Sequence, residues 1–231
     1  QANPDNVNAI VMQGMLHLRK EKLEDAKKSF ETAIARVPTA FAGYLALADY
    51  HSRMKNVDES IKVLQQGISA AKDKNSLRFT LAGRYGSKGQ FDEAIKVYEE
   101  IVAEAPGSLM AVNNLASLLS DHRTDQASLD RAVSYAGMLR NSPVPSFRET
   151  LGWALVRSGR LKEGLNLLER TIAELDKNAS AHFHLGSAYA QAGDKTLASK
   201  HLKLALELET LPESKDKIEA ALKELDKTVQ Q

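Results

Sequence analysis

Apolar residues recur along this chain at helical, not alternating, spacing. Leu161, Leu165, Leu168 and Ile172 follow i, i+4, i+7, i+11. Short turn signals separate such stripes. Gly89, Gly159 and Gly193 stand where a helix C-terminus favours a left-handed residue, and acidic or polar residues then open the next stripe, as in Phe91-Asp92-Glu93-Ala94. The pattern predicts pairs of amphipathic helices. No such pair buries its apolar face alone, so each must stack on its neighbours.

The pairs repeat with a fixed period of about 34 residues, inside the range that marks solenoids and arrays. Registers start at Val7, Phe41, Asn75 and Leu109, and after a small shift at Pro145 and Ala179. The eighth column reads Gly14, Ala48, Ala82, Ala116, Gly152, Gly186, and the twentieth Ala26, Ser60, Ala94, Ala132, Gly164, Ala198. Small residues at both columns let two helices approach closely. Beside them the seventh column carries Leu47, Leu81, Leu115, Leu151 and Leu185, broken by Gln13, and the twenty-fourth Phe30, Leu64, Tyr98, Ala136, Leu168 and Leu202. Large side chains next to small ones on two helices make an interlocking core.

These columns, with Pro38 and Pro106 at position thirty-two, resemble the tetratricopeptide repeat (TPR) family over residues 7–210 as six repeats. The fourth column has no Trp, and Lys72, Asp176 and Thr210 replace the closing proline. The resemblance implies an all-α fold: a right-handed superhelical solenoid of helix hairpins with a C-terminal capping helix. Residues 211–231 read as that cap, with Ile218, Leu222, Leu225 and Val229 on one stripe and charges elsewhere. Residues 1–6 look like the tail of a preceding repeat, since Pro4 precedes Pro38 by one full period, and the chain is expected to be the C-terminal part of a longer array. In the fourth repeat the small columns, Ala116 and Ala132, stand one helical turn farther apart than elsewhere. That places a four-residue insertion in the polar stretch Asp121 to Ser128, between the two helices, as a tolerated longer turn or a partner-contacting loop.

Charge narrows the function. There are 31 Lys+Arg and 30 Asp+Glu, a formal net charge of +1. Residues 1–115 carry 15 basic and 14 acidic side chains and residues 116–231 carry 16 of each. A phosphate backbone or an anionic membrane needs a clustered positive surface, so nucleic acid is not an expected partner. No stretch approaches the roughly 18 apolar residues of a membrane span, so direct insertion of this segment is not expected. The absence of cysteine removes thiol catalysis and thiolate metal sites, and suits cytosol and periplasm alike.

Catalytic patterns are lacking. The Gly86-Ser87-Lys88-Gly89 run fails the phosphate-loop spacing and reads as a turn. His17 and His51 share the eleventh column and read as packed, hydrogen-bonded core histidines, while His182 and His184, two apart on a helix, diverge and do not chelate one ion. No enzyme activity, cofactor or metal is expected.

The TPR resemblance further implies that columns two, five, nine, twelve and thirteen line a concave groove. Phe79, Trp153 and Phe183 would offer apolar or stacking area there, with Asn113, Asn114 and Glu149 between them and Arg157 beside the only Trp. Trp and Arg are frequent binding hot spots. Trp153 packed against the inserted turn is the competing placement. Arg19, Arg53 and Arg157 equally suit the last turn of a helix, where the dipole favours a cation. Column two holds no lysine, unlike the clamp by which some TPR domains hold chaperone C-termini. The expected role is a non-enzymatic scaffold for a protein or peptide partner, with a glycan- or small-ligand-binding groove as the alternative. Residues 112–208, with Val112-Asn113-Asn114-Leu115-Ala116 and Glu149-Thr150-Leu151-Gly152-Trp153, also look like long bacterial TPR proteins that accompany exopolysaccharide export or envelope sorting, some of them lipoproteins. That resemblance implies a periplasmic or outer-membrane setting; a cytoplasmic one stays open, as does the oligomeric state.

Overall fold

The computed structural model describes residues 6–227. Those residues form helices and turns, without strands. They divide into two compact units, the first reaching Ala111 and the second starting at Val112.

The first unit contains α1 (Val7–Arg19), α2 (Leu23–Arg36), α3 (Phe41–Arg53), α4 (Val57–Ala70), α5 (Asn75–Ser87) and α6 (Phe91–Glu104). They pack as the hairpins α1–α2, α3–α4 and α5–α6, joined through α2 on α3 and α4 on α5. The second unit takes most of α7 (Leu109–His122), then α8 (Gln126–Gly137), α9 (Pro145–Arg157), α10 (Leu161–Thr171), α11 (Ala179–Ala192), α12 (Lys195–Leu208) and α13 (Pro212–Lys227). Here α9–α10 and α11–α12 are the tight pairs, with α8 on α9, α10 on α11 and α13 on α12. This is the all-α, consecutively paired architecture of the expected solenoid class.

Local chemistry starts the helices where the sequence signals them. Asn6, Asp125, Asn178 and Asp194 each accept the backbone N–H three residues on. Pro145 opens α9, where its missing N–H costs nothing. Acidic pairs in the first turns of α2, α4 and α6 complement the helix dipole.

The small columns set how closely each pair approaches. A Cβ on Gly152 would lie 2.9 Å from the Leu168 side chain, and one on Gly186 2.9 Å from that of Leu202. Phe30, Leu64, Leu115, Leu151, Leu185 and Leu202 are the large, fully buried partners. In the second unit this core extends to Leu225 of α13, with Leu222 packed against it. Val229 and residues 1–5, including Pro4, lie outside the described residues.

The four extra residues of the fourth repeat do not lengthen the turn. Three residues join α7 to α8, as three join α1 to α2, α3 to α4 and α5 to α6. Asp125 caps α8 through the Ser128 N–H at 2.9 Å, which winds residues 126–128 into the first helical turn. The insertion is absorbed as helix.

In five of the six repeats the turn column holds a left-handed backbone whether or not glycine occupies it; Arg123, at that column of the fourth repeat, does not. Gly89, Gly159 and Gly193 have φ of +71°, +88° and +83°, and Glu21 and Lys55, at the same register, have +56° and +60°. A side chain in the left-handed region costs roughly 1–2 kcal/mol, part of which glycine gives back through its larger unfolded-state entropy. Lys55→Gly is therefore expected to stabilise the first unit by about 0.5–1 kcal/mol. A higher urea midpoint with unchanged m-value is the readout; an unchanged midpoint would show that the Lys55 side chain offsets its backbone strain.

Candidate functional site

The C-terminal turns of α7 and the facing sides of α9 and α11 bring together Asp121, Glu149, Trp153 and His184 within the second unit. His184 Nδ1 donates to Glu149 Oε1 at 2.6 Å, and its Nε2 lies 3.7 Å from Asp121 Oδ1. Trp153 Nε1 donates to the same Asp121 oxygen at 2.7 Å, while Ser117 Oγ donates to Oδ2 at 3.2 Å. The imidazole stacks on the indole with centroids 4.3 Å apart and planes 7° from parallel. Three successive hairpins are thus joined by one polar and aromatic cluster.

The cluster is largely dry: Glu149 and His184 are each 8% exposed and Trp153 4%. Burial on its own pushes the His184 pKa down. The charge and hydrogen bond of Glu149, then the charge of Asp121, outweigh it against a small opposing effect of Lys217, so the pKa stands above the ordinary 6.5. A charged His184 ring on the Trp153 face adds a cation–π contact.

Above the cluster lies a pocket of about 210 Å³. Its floor includes Asp121, Glu149 and His184, and its rim is Ser146, Asn178, Ser180, Phe183 and, from α13, Ser214 and Lys217. The Lys217 ammonium sits 5.0 Å from the Phe183 ring centroid.

The expected site residues divide accordingly. Glu149 and Phe183 line this pocket. Trp153 lies beneath it, so its influence on the surface passes through Asp121 and His184. Its indole engages Asp121, the first residue of the insertion-bearing stretch. Arg157 donates to the Arg123 carbonyl at 3.1 Å and lies 5.7 Å over the Trp153 ring, tying α9 to the α7–α8 turn. Asn113 and Asn114 are half-buried neighbours, 3.4 Å apart through Nδ2 and Oδ1. Phe79 belongs to the first unit, where it is held edge-on to Tyr98 at 5.4 Å and lines a separate cleft of about 420 Å³ with Ser76, Ile101, Ala105 and Met110.

Two residues outside the expected set are central. His184 stands one column from the expected face, and Asp121 opens the stretch that reads as a turn. The signal that marks the site is a carboxylate and an imidazole, Glu149 and His184, in adjacent columns of successive repeats. A second histidine contact lies on the other side of α11. His182 Nε2 faces the Asp176 carbonyl at 3.0 Å, and His182 Nδ1 lies 2.9 Å from His201 Nδ1. A carbonyl only accepts, so His182 carries its proton on Nε2 and His201 donates from Nδ1. Burial, then the charges of His182 and Lys200, hold the His201 pKa below 6.5. His17 and His51 are half-buried in the first unit, His51 edge-on to Tyr50, and contrary to the expected hydrogen-bonded core placement the buried Nδ1 of each has no hydrogen-bond partner among the described residues.

Stacked helix hairpins with small residues at the crossing and a left-handed turn between the helices define a helical-repeat protein. The tetratricopeptide repeat model matches residues 11–75 and 149–214, more than half of the chain, and the chain belongs to that family. The PPR repeat model matches residues 80–104. No curated protein matches. Among solved structures the chain is similar to a tetratricopeptide repeat protein of Parabacteroides merdae, at 14% identity and TM-score 0.71 over 96% of this chain and 92% of that one. It is also similar to TTC0263, a TPR protein of Thermus thermophilus, at 17% identity and TM-score 0.61 over 79% and 99%. A third is YrrB, described as a TPR protein with an unusual peptide-binding site, at 17% identity and TM-score 0.58 over 78% and 92%. At these identities the likeness is one of fold.

Proposed function

We propose that this chain is a non-enzymatic scaffold that holds a segment of a protein partner on the exposed side of its first helices. TPR proteins bind protein or peptide partners and are typically non-enzymatic. The observation that carries the reading here is the Phe79 cleft. It is lined mainly by apolar side chains, Phe79 is fixed by Tyr98, and Met110 at its edge is 58% exposed. An aromatic anchor already ordered in the free protein loses little entropy on binding, and a thioether rim adapts to varied side chains. Asn113, Asn114, Phe183 and the outward oxygen of Glu149 are proposed as polar and stacking contacts in the second unit, with Trp153 and Arg157 supporting them from below. The YrrB likeness supports a peptide as the occupant; the words of residues 112–208 support a partner in bacterial envelope or exopolysaccharide export. No described helix is long and apolar enough to cross a membrane.

Selection from a random-peptide display library tests this. Binders are expected to carry an apolar or aromatic anchor, and Phe79→Ala is expected to weaken them about 30-fold, the size of a hot-spot loss. Binders that ignore Phe79→Ala would move the interaction surface elsewhere on the chain.

A further inference from the structure

We propose that the pocket between α9, α11 and α13 is a second ligand site, built for a neutral, hydroxyl-rich ligand of about one sugar ring. Its polar atoms are of both hydrogen-bonding kinds and are largely unused by the chain. Among the described residues the Ser146, Ser180 and Ser214 hydroxyls make no hydrogen bond, and the Asn178 carboxamide spends only its oxygen, on the Ala181 N–H. Glu149 uses Oε1 for His184 and keeps Oε2 unpaired among those residues, although it is 8% exposed. The Lys217 ammonium has the Phe183 ring under it and no carboxylate partner among them.

Charge selects the class. An anion entering the pocket would meet Asp121, Glu149 and Glu209; a cation would meet Lys217 and His184. A ligand whose groups both donate and accept meets neither repulsion. Hydroxyls do so, donating hydrogen bonds to Glu149 Oε2 and accepting them from Lys217, Asn178 and the serines. Phe183 and Ile218 supply the small apolar patch that the C–H face of a ring requires. The volume of about 210 Å³ equals roughly seven waters at about 30 Å³ each. That admits a sugar ring and excludes a helix, which is about 10–12 Å across. The site shares Phe183 and Glu149 with the peptide contacts proposed in the second unit but no residue with the Phe79 cleft that carries that reading, so its failure leaves the scaffold reading standing.

Saturation-transfer NMR with glucose, galactose, mannose and N-acetylglucosamine, alongside the emission of Trp153, tests the proposal on the whole chain. Trp153 is the single Trp and touches two floor residues, so occupancy changes its surroundings. Saturable binding of at least one sugar is expected, weakened about tenfold or more in Lys217→Met and in Glu149→Gln, each of which removes a charged hydrogen-bonding partner. Lys217 is exposed, so its variant folds even where the buried Glu149 variant does not. Oligosaccharides of the responding sugar form a second arm: tighter binding than the monosaccharide identifies a glycan terminus, equal binding a free sugar. No saturable response to any of the four sugars, binding untouched by Lys217→Met, or a response to glutamate or arginine amide alone would each overturn the proposal.

Discussion

Glu149→Ala is expected to destabilise the second unit by about 3–5 kcal/mol, the range for removing one partner of a buried ion pair. The loss exceeds that of the hydrogen bond itself because His184 stays behind in a dry site. Its one remaining carboxylate, Asp121, is 3.7 Å away. The pH dependence reverses as well. In the native protein His184 has a folded-state pKa above 6.5, so its charged form stabilises the fold fully below pH 6.5, and that contribution is lost as pH rises through the folded value. Without Glu149, burial becomes the dominant influence and the pKa falls below 6.5. The ring then favours the fold only while neutral, above pH 6.5, and that gain is lost as pH falls through the lowered value. Thermal melts of both proteins from about pH 5 to about pH 9 cover the range in which a histidine titrates. They should show a Tm lower by about 10 °C or more in the variant and opposite slopes with pH. Parallel slopes would mean that the pair carries no charge in the native fold.

Gly164→Ala is expected to cost about 2–3 kcal/mol, whereas Gly83→Ala should add about 1 kcal/mol. Both replace a helical glycine, and alanine gains roughly 1 kcal/mol of helix propensity in each case. What differs is the space. A Cβ on Gly164 would fall 2.6 Å from the Gly152 carbonyl oxygen and 2.8 Å from the Val156 nitrogen, which are backbone atoms of α9 that move only if the helix moves. At Gly83 nothing lies within 4 Å. Urea denaturation of the two variants separates packing from propensity. Equal effects at the two sites would mean that α9 and α10 part without loss.

The same glycines explain how much of the fold is legible in the sequence. Gly152 and Gly164 sit in the eighth and twentieth columns, where a repeat of small residues can have no purpose except close approach, so the pairing of helices can be read from spacing alone. The left-handed turns are legible at Gly89, Gly159 and Gly193 and hidden at Glu21 and Lys55, because neighbouring helices impose the conformation on residues that do not prefer it. The inserted residues read as a turn for a related reason. Whether Gln126 to Ser128 wind into helix depends on Asp125 reaching the Ser128 N–H, a contact that residue counting does not see. In the candidate site, Glu149 and Phe183 are found by column. His184 is not, because its partners Glu149 and Asp121 come from one and two repeats earlier in the chain, and pairing at that distance depends on how successive hairpins stack.

Two imidazole contacts of helix α11 answer acid in opposite ways, one through its own His184 and one through His201 of α12, which faces His182. His184 is retained by carboxylates and keeps its proton; His201, opposite His182, is disfavoured as a cation, so its contribution is present above pH 6.5 and lost as pH falls through its lowered value. Alkali therefore slackens α11 where it meets α9, and acid slackens it where it meets α12. The helix is gripped from both sides only in a band around neutral to mildly acidic pH, and outside that band each direction of titration releases a different neighbour.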